Sequence, residues 1–380
     1  MKMKMVSTLM VIVAIMMSLA GCSGKEEVST QSANAPAATT VTVVADTPVV
    51  DTPVVDTKPA APVKIALVLN NLGDKGFNDE AFAGMQMAKE KLGIEFDYVE
   101  APQISEVETQ IRMFADSGEY ALIVVIGADK KDAIESAAMD YPDQKFSLVD
   151  SKVDEMQNLH GVGSRDPEQT FLSGVIAGLV TLDPTMPLAN PENVIGFMGG
   201  MDSPASRAGA AGFLSGVKFV NPDAQIIYTI VGSYANPNKG KEIATTMYER
   251  GADVVSHNAG GSALGLFNAG RELNKYFIGS SLATADPKFT LCTSIKRTDL
   301  FVFQEVESLV NGTWTSGYTA KGIKEGVCYY DLQGLDTNLN PAIIAIADEI
   351  KQMVIDGKIE MCYDPAVLDA WSAKFQYARK

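Results

Sequence analysis

Asp74, Phe77 and Asn78 fall within one short stretch, Gly73-Asp74-Lys75-Gly76-Phe77-Asn78-Asp79. A carboxylate and an amide beside an aromatic ring supply hydrogen bonds and a stacking face, the chemistry that holds a polar heterocycle. The same residues also read as a helix-capping loop, since Asn78 or Asp79 is a good N-cap and Gly76 a natural turn residue. The residue types leave both readings open. Two further loops, Gly199-Gly200-Met201-Asp202-Ser203-Pro204 and Gly260-Gly261-Ser262-Ala263-Leu264-Gly265, open onto helices, whose amino termini attract anions and polar oxygens. They make Met201 and Gly261 candidate ligand contacts, although glycines at such turns are more often plain geometry. Neither loop has the phosphate-loop or dinucleotide spacing, so nucleotide hydrolysis is not indicated. There is also no nucleophile elbow, Ser-Xaa-Xaa-Lys pair, zincin helix or Cys-His arrangement. No catalytic residue is assigned, and a binding protein is expected rather than an enzyme.

Cys22, Cys292, Cys328 and Cys362 lie far apart, and only His160 and His257 accompany them, so neither a metal site nor a cofactor is expected. One disulfide among the last three cysteines is left open. The formal net charge of −16, with no cluster of basic residues, argues against nucleic acid as a partner and reads as a solvated surface.

These loops need elements to position them. From Lys64 onward, short apolar runs alternate with amphipathic stretches: Ile65 to Leu69, Asp79 to Leu92, Glu95 to Val99, Glu106 to Ser117, Ala121 to Ile126. Runs of five or six apolar residues bounded by Gly, Asn or Asp predict strands buried on both faces, and the stretches between them predict helices. The alternation continues through Phe146 to Val149, Val194 to Met198, Ile226 to Val231, Val254 to Val255 and Phe277 to Ile278. That is too many strands for one comfortable parallel sheet, so two α/β domains are expected. Ligands collect at the carboxyl ends of such strands. Asn70-Asn71, Gly127, Asp150, Gly199-Gly200, Gly232, Gly260-Gly261 and Gly279 all fall there, and facing strand ends would form a cleft.

Residues 1–21 carry Lys2 and Lys4, the apolar run Val6 to Met17, and small residues at the end, the pattern of a secretory signal too short for a membrane span. Leu19-Ala20-Gly21-Cys22 resembles the bacterial lipobox, in which the cysteine thiol is acylated. Residues 22–62 lack aromatics, repeat Asp-Thr-Pro-Val-Val and hold prolines at 48, 53, 59 and 62. They cannot bury a core and predict a disordered Pro/Thr/Val-rich linker.

The run Val194-Ile195-Gly196-Phe197-Met198-Gly199-Gly200-Met201-Asp202, then Gly212-Phe213, Gly216-Val217-Lys218 and Asn221-Pro222-Asp223-Ala224, resembles the basic membrane protein family of bacterial lipoproteins. So do Val231-Gly232-Ser233-Tyr234, Lys239-Gly240-Lys241-Glu242 and Gly251-Ala252-Asp253-Val254-Val255, the likeness running from about residue 64 to 362. The resemblance implies a two-lobed, type I periplasmic-binding-protein fold with ligand in the interlobe cleft. One lobe would comprise residues 63–164 plus 290–325, the other 165–289 plus 326–380. It implies a monomeric, lipid-anchored protein facing the periplasm or exterior that serves the permease subunits of an ABC importer and binds a purine nucleoside. Asp74, Phe77 and Asn78 match the family's base-recognition motif, Lys296 matches a lysine that reaches the ribose, and the counterpart of Asp150 faces the cleft. Two positions depart from the pattern. Gly209 stands where many members place a second aromatic, and Ser281 where an aspartate holds the ribose hydroxyls. These changes remove a stacking face and a charged acceptor. A flavin-type vitamin, or a sensing role not coupled to uptake, are the alternatives.

Overall fold

The structure, a computed structural model, describes residues 62–281 and 284–378. The expected leader at 1–21, Cys22 and the expected linker as far as residue 61 lie outside the described residues.

Five strands come first: β1 (Lys64–Leu69), β2 (Glu95–Glu100), β3 (Leu122–Ile126), β4 (Phe146–Val149) and β5 (Leu159–Ser164). The next five are β6 (Val194–Gly199), β7 (Gln225–Ile230), β8 (Ala252–Asn258), β9 (Tyr276–Gly279) and β10 (Thr290–Lys296), followed by β11 (Gly317–Lys321) and β12 (Cys328–Asp331). They form two 6-stranded sheets, ordered β11-β5-β4-β3-β1-β2 and β12-β10-β9-β8-β6-β7. All pairings are parallel except β10 with β12. Continuous apolar runs arise because helices cover both faces of each sheet. In the first sheet Ile65, Leu67 and Val124 pack with Met85 and Phe301, while Ala66, Val68 and Ile123 pack with Ile111 and Ile134 on the other side. Each such fully buried Leu, Ile, Val, Met or Phe contributes roughly 1.5–3 kcal/mol.

Of the helices, α1 (Phe77–Leu92), α2 (Ile104–Ser117) and α3 (Lys131–Asp140) follow β1, β2 and β3, and α4 (Asp166–Val180) follows β5. The next three, α5 (Pro204–Val220), α6 (Pro237–Glu249) and α7 (Ala263–Leu273), follow β6, β7 and β8. Then come α8 (Thr298–Val310), α9 (Pro341–Ile355) and α10 (Leu368–Lys374), α8 packing on α1 and the last two on α4 and α5. Among the described residues no helix is long and apolar enough to cross a membrane.

The chain passes between the sheets after β5, after β10 and after β11. The second passage corrects the expected lobe limits. β10 hydrogen-bonds to β9 and β12 in the second sheet, so residues 290–296 belong to the second lobe and the chain re-enters the first after Lys296. The first and third passages lie side by side. Arg165 N donates to Lys321 O at 2.7 Å, Ile323 N donates to Glu168 Oε2 at 2.7 Å, and the Arg165 guanidinium pairs with Glu168 and Glu325.

A buried polar network fastens β11 to the first sheet. Glu305 Oε2 on α8 accepts from Ser147 Oγ at 2.6 Å and meets His160 Nδ1 at 2.8 Å. His160 Nε2 lies 3.1 Å from Thr319 Oγ1 on β11, and Trp314 Nε1 donates to Ser147 Oγ at 3.2 Å. The other histidine is internal too: burial pulls His257 down to about 4, and its ring packs edge-on to Phe267.

α4 and α5 pack through glycines. A Cβ at Gly174 would stand 2.1 Å from the Phe213 carbonyl oxygen. Gly174→Ala gains about 1 kcal/mol of helix propensity. The backbone overlap outweighs it, because neither helix can shift without disturbing a packed layer, and overpacking costs roughly 1–3 kcal/mol or more. Net destabilisation is expected in urea unfolding; a midpoint at or above wild type would contradict this close approach.

Candidate functional site

The carboxyl ends of the two sheets meet. Lys296 closes β10 in the second sheet, and its Nζ lies 2.7 Å from Oδ1 of Asp150, which follows β4 in the first. The same ammonium stands 5.1 Å from the centroid of the Phe77 ring. Asp150 has φ of +77°, a left-handed conformation that aspartate tolerates better than most residues. Exposure of 14% for the lysine side chain and 19% for the aspartate leaves little water to screen the pair.

Asp166, at the start of α4, shares this environment. Burial, then the Asp150 charge, push its carboxyl up to about 6, while Lys296 and the Ser164 hydroxyl, 2.8 Å from Oδ1, act against that rise. Burial opposes the charge of Lys296, but Asp150 and Asp166 push its pKa above the ordinary lysine value. Two carboxylates around one ammonium leave surplus acceptor capacity for hydroxyl or N–H donors of a ligand. Tyr318 of β11 borders the cluster, its phenol oxygen 3.1 Å from the Cβ position of Gly163. Burial, followed by the charges of Asp166 and Asp150, pushes that phenol up to about 12.

The stretch 73–79 is a capping loop. Asp74 Oδ1 accepts from Gly76 N at 3.0 Å and Asp79 N at 3.2 Å, and Oδ2 accepts from Asn78 N at 2.9 Å and Asn78 Nδ2 at 2.8 Å. A carboxylate has about four acceptor sites, so Asp74 is filled by its own loop. Asn78 is 6% exposed and accepts from Asn70 N at 3.1 Å. Asp79 takes Gly73 N and Lys75 N at 2.7 and 2.9 Å. Together these bonds fix the start of α1 and present Phe77 towards Lys296.

The structure therefore brings Phe77, Asp150 and Lys296 together. Ser281, at the end of β9, donates through Oγ to the Lys75 carbonyl at 2.6 Å and so links the lobes. Its neighbours Leu282 and Ala283 lie outside the described residues. Met201 is 41% exposed in the loop after β6, and Gly261 lies in the turn after β8. Gly209 leaves no open space, because a Cβ there would meet Asn258 Nδ2 at 2.8 Å. Sequence reasoning passed over Asp166 and Tyr318. β5, Leu-His-Gly-Val-Gly-Ser, has no apolar run to mark its end, and β11 is a half-exposed edge strand.

Among the described residues no three His, Cys, Asp or Glu side chains converge to hold a metal ion. Cys292, Cys328 and Cys362 are buried free thiols.

Two parallel-dominated sheets of this order, their carboxyl ends meeting at Lys296 and Asp150, form the two-lobed type I fold of solute-binding proteins. A solute-binding protein of an ABC transporter from Aeropyrum pernix superposes with TM-score 0.74 at 25% identity, covering 82% of this chain and 99% of that one. The family described as "ABC transporter substrate-binding protein PnrA-like" matches residues 63–359, and the chain belongs to it. It is 30% identical to the CD4+ T-cell-stimulating antigen of Listeria innocua, over 81% of this chain and 90% of that protein. Identity is also 30% to the ABC transporter nucleoside-binding protein BmpA of Lactococcus lactis, over 80% and 90%, and to basic membrane protein A of Borreliella burgdorferi, over 70% and 78%.

A carboxyl raised from 3.8 to about 6 costs stability only where the folded chain is forced to ionise it. That cost is absent below about pH 4, grows between 4 and 6, and is complete above. Asp166→Asn should therefore match wild type near pH 4 and exceed it by roughly 1–3 kcal/mol at pH 7.5. Urea unfolding at the two pH values measures this, and an Asn variant less stable at pH 7.5 would mean that Lys296 fully stabilises the ionised carboxylate.

Proposed function

We propose that the interlobe cleft binds a planar, polar heteroaromatic molecule, with a purine nucleoside the first candidate, and that the protein presents it to the permease of an ABC importer. The observation that carries this is the convergence of the Phe77 ring, the Lys296 ammonium and the Asp150 carboxylate where the two sheets meet. Phe77 offers a stacking face. Asp150 and Asp166 accept from hydroxyl or amino groups, and Lys296 donates. Asp74 and Asn78 act in this reading by orienting Phe77, since their polar atoms hold the loop. Ser281 serves closure through its bond to Lys75, in place of gripping a sugar. The nucleoside-binding relative in Lactococcus supports the ligand class. Acylation of Cys22 would tether the receptor to the outer side of a membrane, with the Pro-rich spacer giving it reach.

Mass spectrometry of small molecules that co-purify with the full chain, followed by calorimetry against adenosine, guanosine and inosine, tests the assignment. Failure of all three to bind at millimolar concentration would remove the nucleoside. For whichever nucleoside binds, Phe77→Ala is expected to weaken affinity by roughly 1–3 kcal/mol. Unchanged affinity in that variant would take Phe77 out of the site.

A further inference from the structure

The first lobe holds a buried charge that has no part in the contact between Lys296 and Asp150. Lys130 is 0% exposed, and its Nζ lies 3.0 Å from Asp129 Oδ1. Burial pulls the Lys130 ammonium below the ordinary lysine value, and the Asp129 charge acts against that fall. A buried ammonium is costly to keep, and among the described residues this one has Asp129 as its single partner. The pair fits where Gly127 carries no side chain: a Cβ there would lie 2.6 Å from Asp129 Oδ1 and 3.2 Å from Lys130 Nζ.

The sheet sets the place of this pair. β3 runs between β1 and β4. Val125 aligns with Val68 of β1, and Ile126 aligns with Val149 of β4. The turn 127–130 therefore stands between Asp150 and the loop that leads from Asn70 to Phe77. Burial raises the Tyr234 phenol of the second lobe, and Asp150 and then Asp129 add to the rise, so the Asp129 carboxylate faces that lobe. Its side chain is 45% exposed, and among the described residues no donor reaches Oδ2.

We propose that Asp129 is a ligand-binding residue of the cleft, its carboxylate fixed by the buried Lys130 and offered to an N–H donor on the edge of the heteroaromatic ring. The proposal rests on the heteroaromatic reading above and adds the chemistry of the ligand's edge: the base carries an amino group or a ring N–H. Lys296 with Asp150 and Asp166 presents donors and acceptors together, which suits hydroxyl groups that both give and receive. Asp129 presents acceptors alone, because its counterion lies inside the lobe, and so favours a donor. A carboxylate held in place beforehand loses little freedom when the ligand arrives.

The test uses the full-length chain and calorimetry with guanosine, inosine, adenosine and purine riboside, the last of which has no N–H or amino donor on its base. Wild type should bind purine riboside at least about tenfold more weakly than the best of the other three, the loss of one hydrogen bond to a charged group. For that best probe, Asp129→Asn should weaken affinity roughly 10- to 150-fold, while any affinity for purine riboside stays within about threefold. Lys130→Met keeps the apolar stem but frees the carboxylate to turn into water, and should resemble Asp129→Asn. The double variant should bind no more weakly than either single one. If Asp129→Asn leaves every affinity unchanged while Phe77→Ala is weakened, Asp129 is not in the site, though the cleft reading stands. If purine riboside binds wild type as tightly as the other three, no N–H donor is being recognised and the inference is overturned. Losses that add in the double variant would mean that Lys130 does not act through Asp129. If the wild-type chain binds none of the four probes, the heteroaromatic reading falls and this inference with it.

Discussion

The ion pair between Lys296 and Asp150 is the contact on which the site depends. It joins the end of a second-sheet strand to the end of a first-sheet strand, in a place where little water reaches either group. Removing one partner of such a pair costs far more than the pair adds, because the survivor is left charged and poorly solvated. The geometry around it follows. Phe77 stands beside the ammonium, burial and the Asp150 charge raise the Asp166 carboxyl above the usual carboxylate range, and Asp150 accepts a left-handed backbone to bring its carboxylate to the meeting point. A lysine that belongs to one lobe and is satisfied in the other is also a natural closure contact.

Much of the fold was legible in the residues because both sheets are parallel and covered on both faces. Ile65–Leu69, Leu122–Ile126 and Val194–Gly199 are continuous apolar runs for that physical reason, and their ends mark the cleft. What escaped were the strands without such runs. β5 carries His160, Gly161 and Gly163 because a polar network and a tyrosine pack there, and β11 is an edge with polar and exposed positions. Missing β5 hid the strand end that leads into Asp166. The lobe boundary slipped for a related reason: β10, Thr-Leu-Cys-Thr-Ser-Ile-Lys, has no continuous apolar run, and nothing in it declares which sheet it joins.

The site was partly legible. Phe77, Asp150 and Lys296 were marked by residue type, loop position and family resemblance. Asp74 and Asn78 were marked by the same stretch, yet the structure fills the Asp74 carboxylate with its own loop's donors. Loop capping and ligand recognition call for the same residue types, so sequence could not separate them.

β11 has a consequence for the order in which the molecule can be made. It is the outermost strand of the first sheet, yet it lies after every parallel strand of the second, and Thr319 on it completes the polar network of His160 and Glu305. A chain emerging amino end first cannot finish its first lobe until nearly all of its second has appeared. Until then β5 presents an unpaired edge and His160 and Ser147 lack their carboxylate. That delay keeps the first lobe incompletely folded for most of the chain's synthesis.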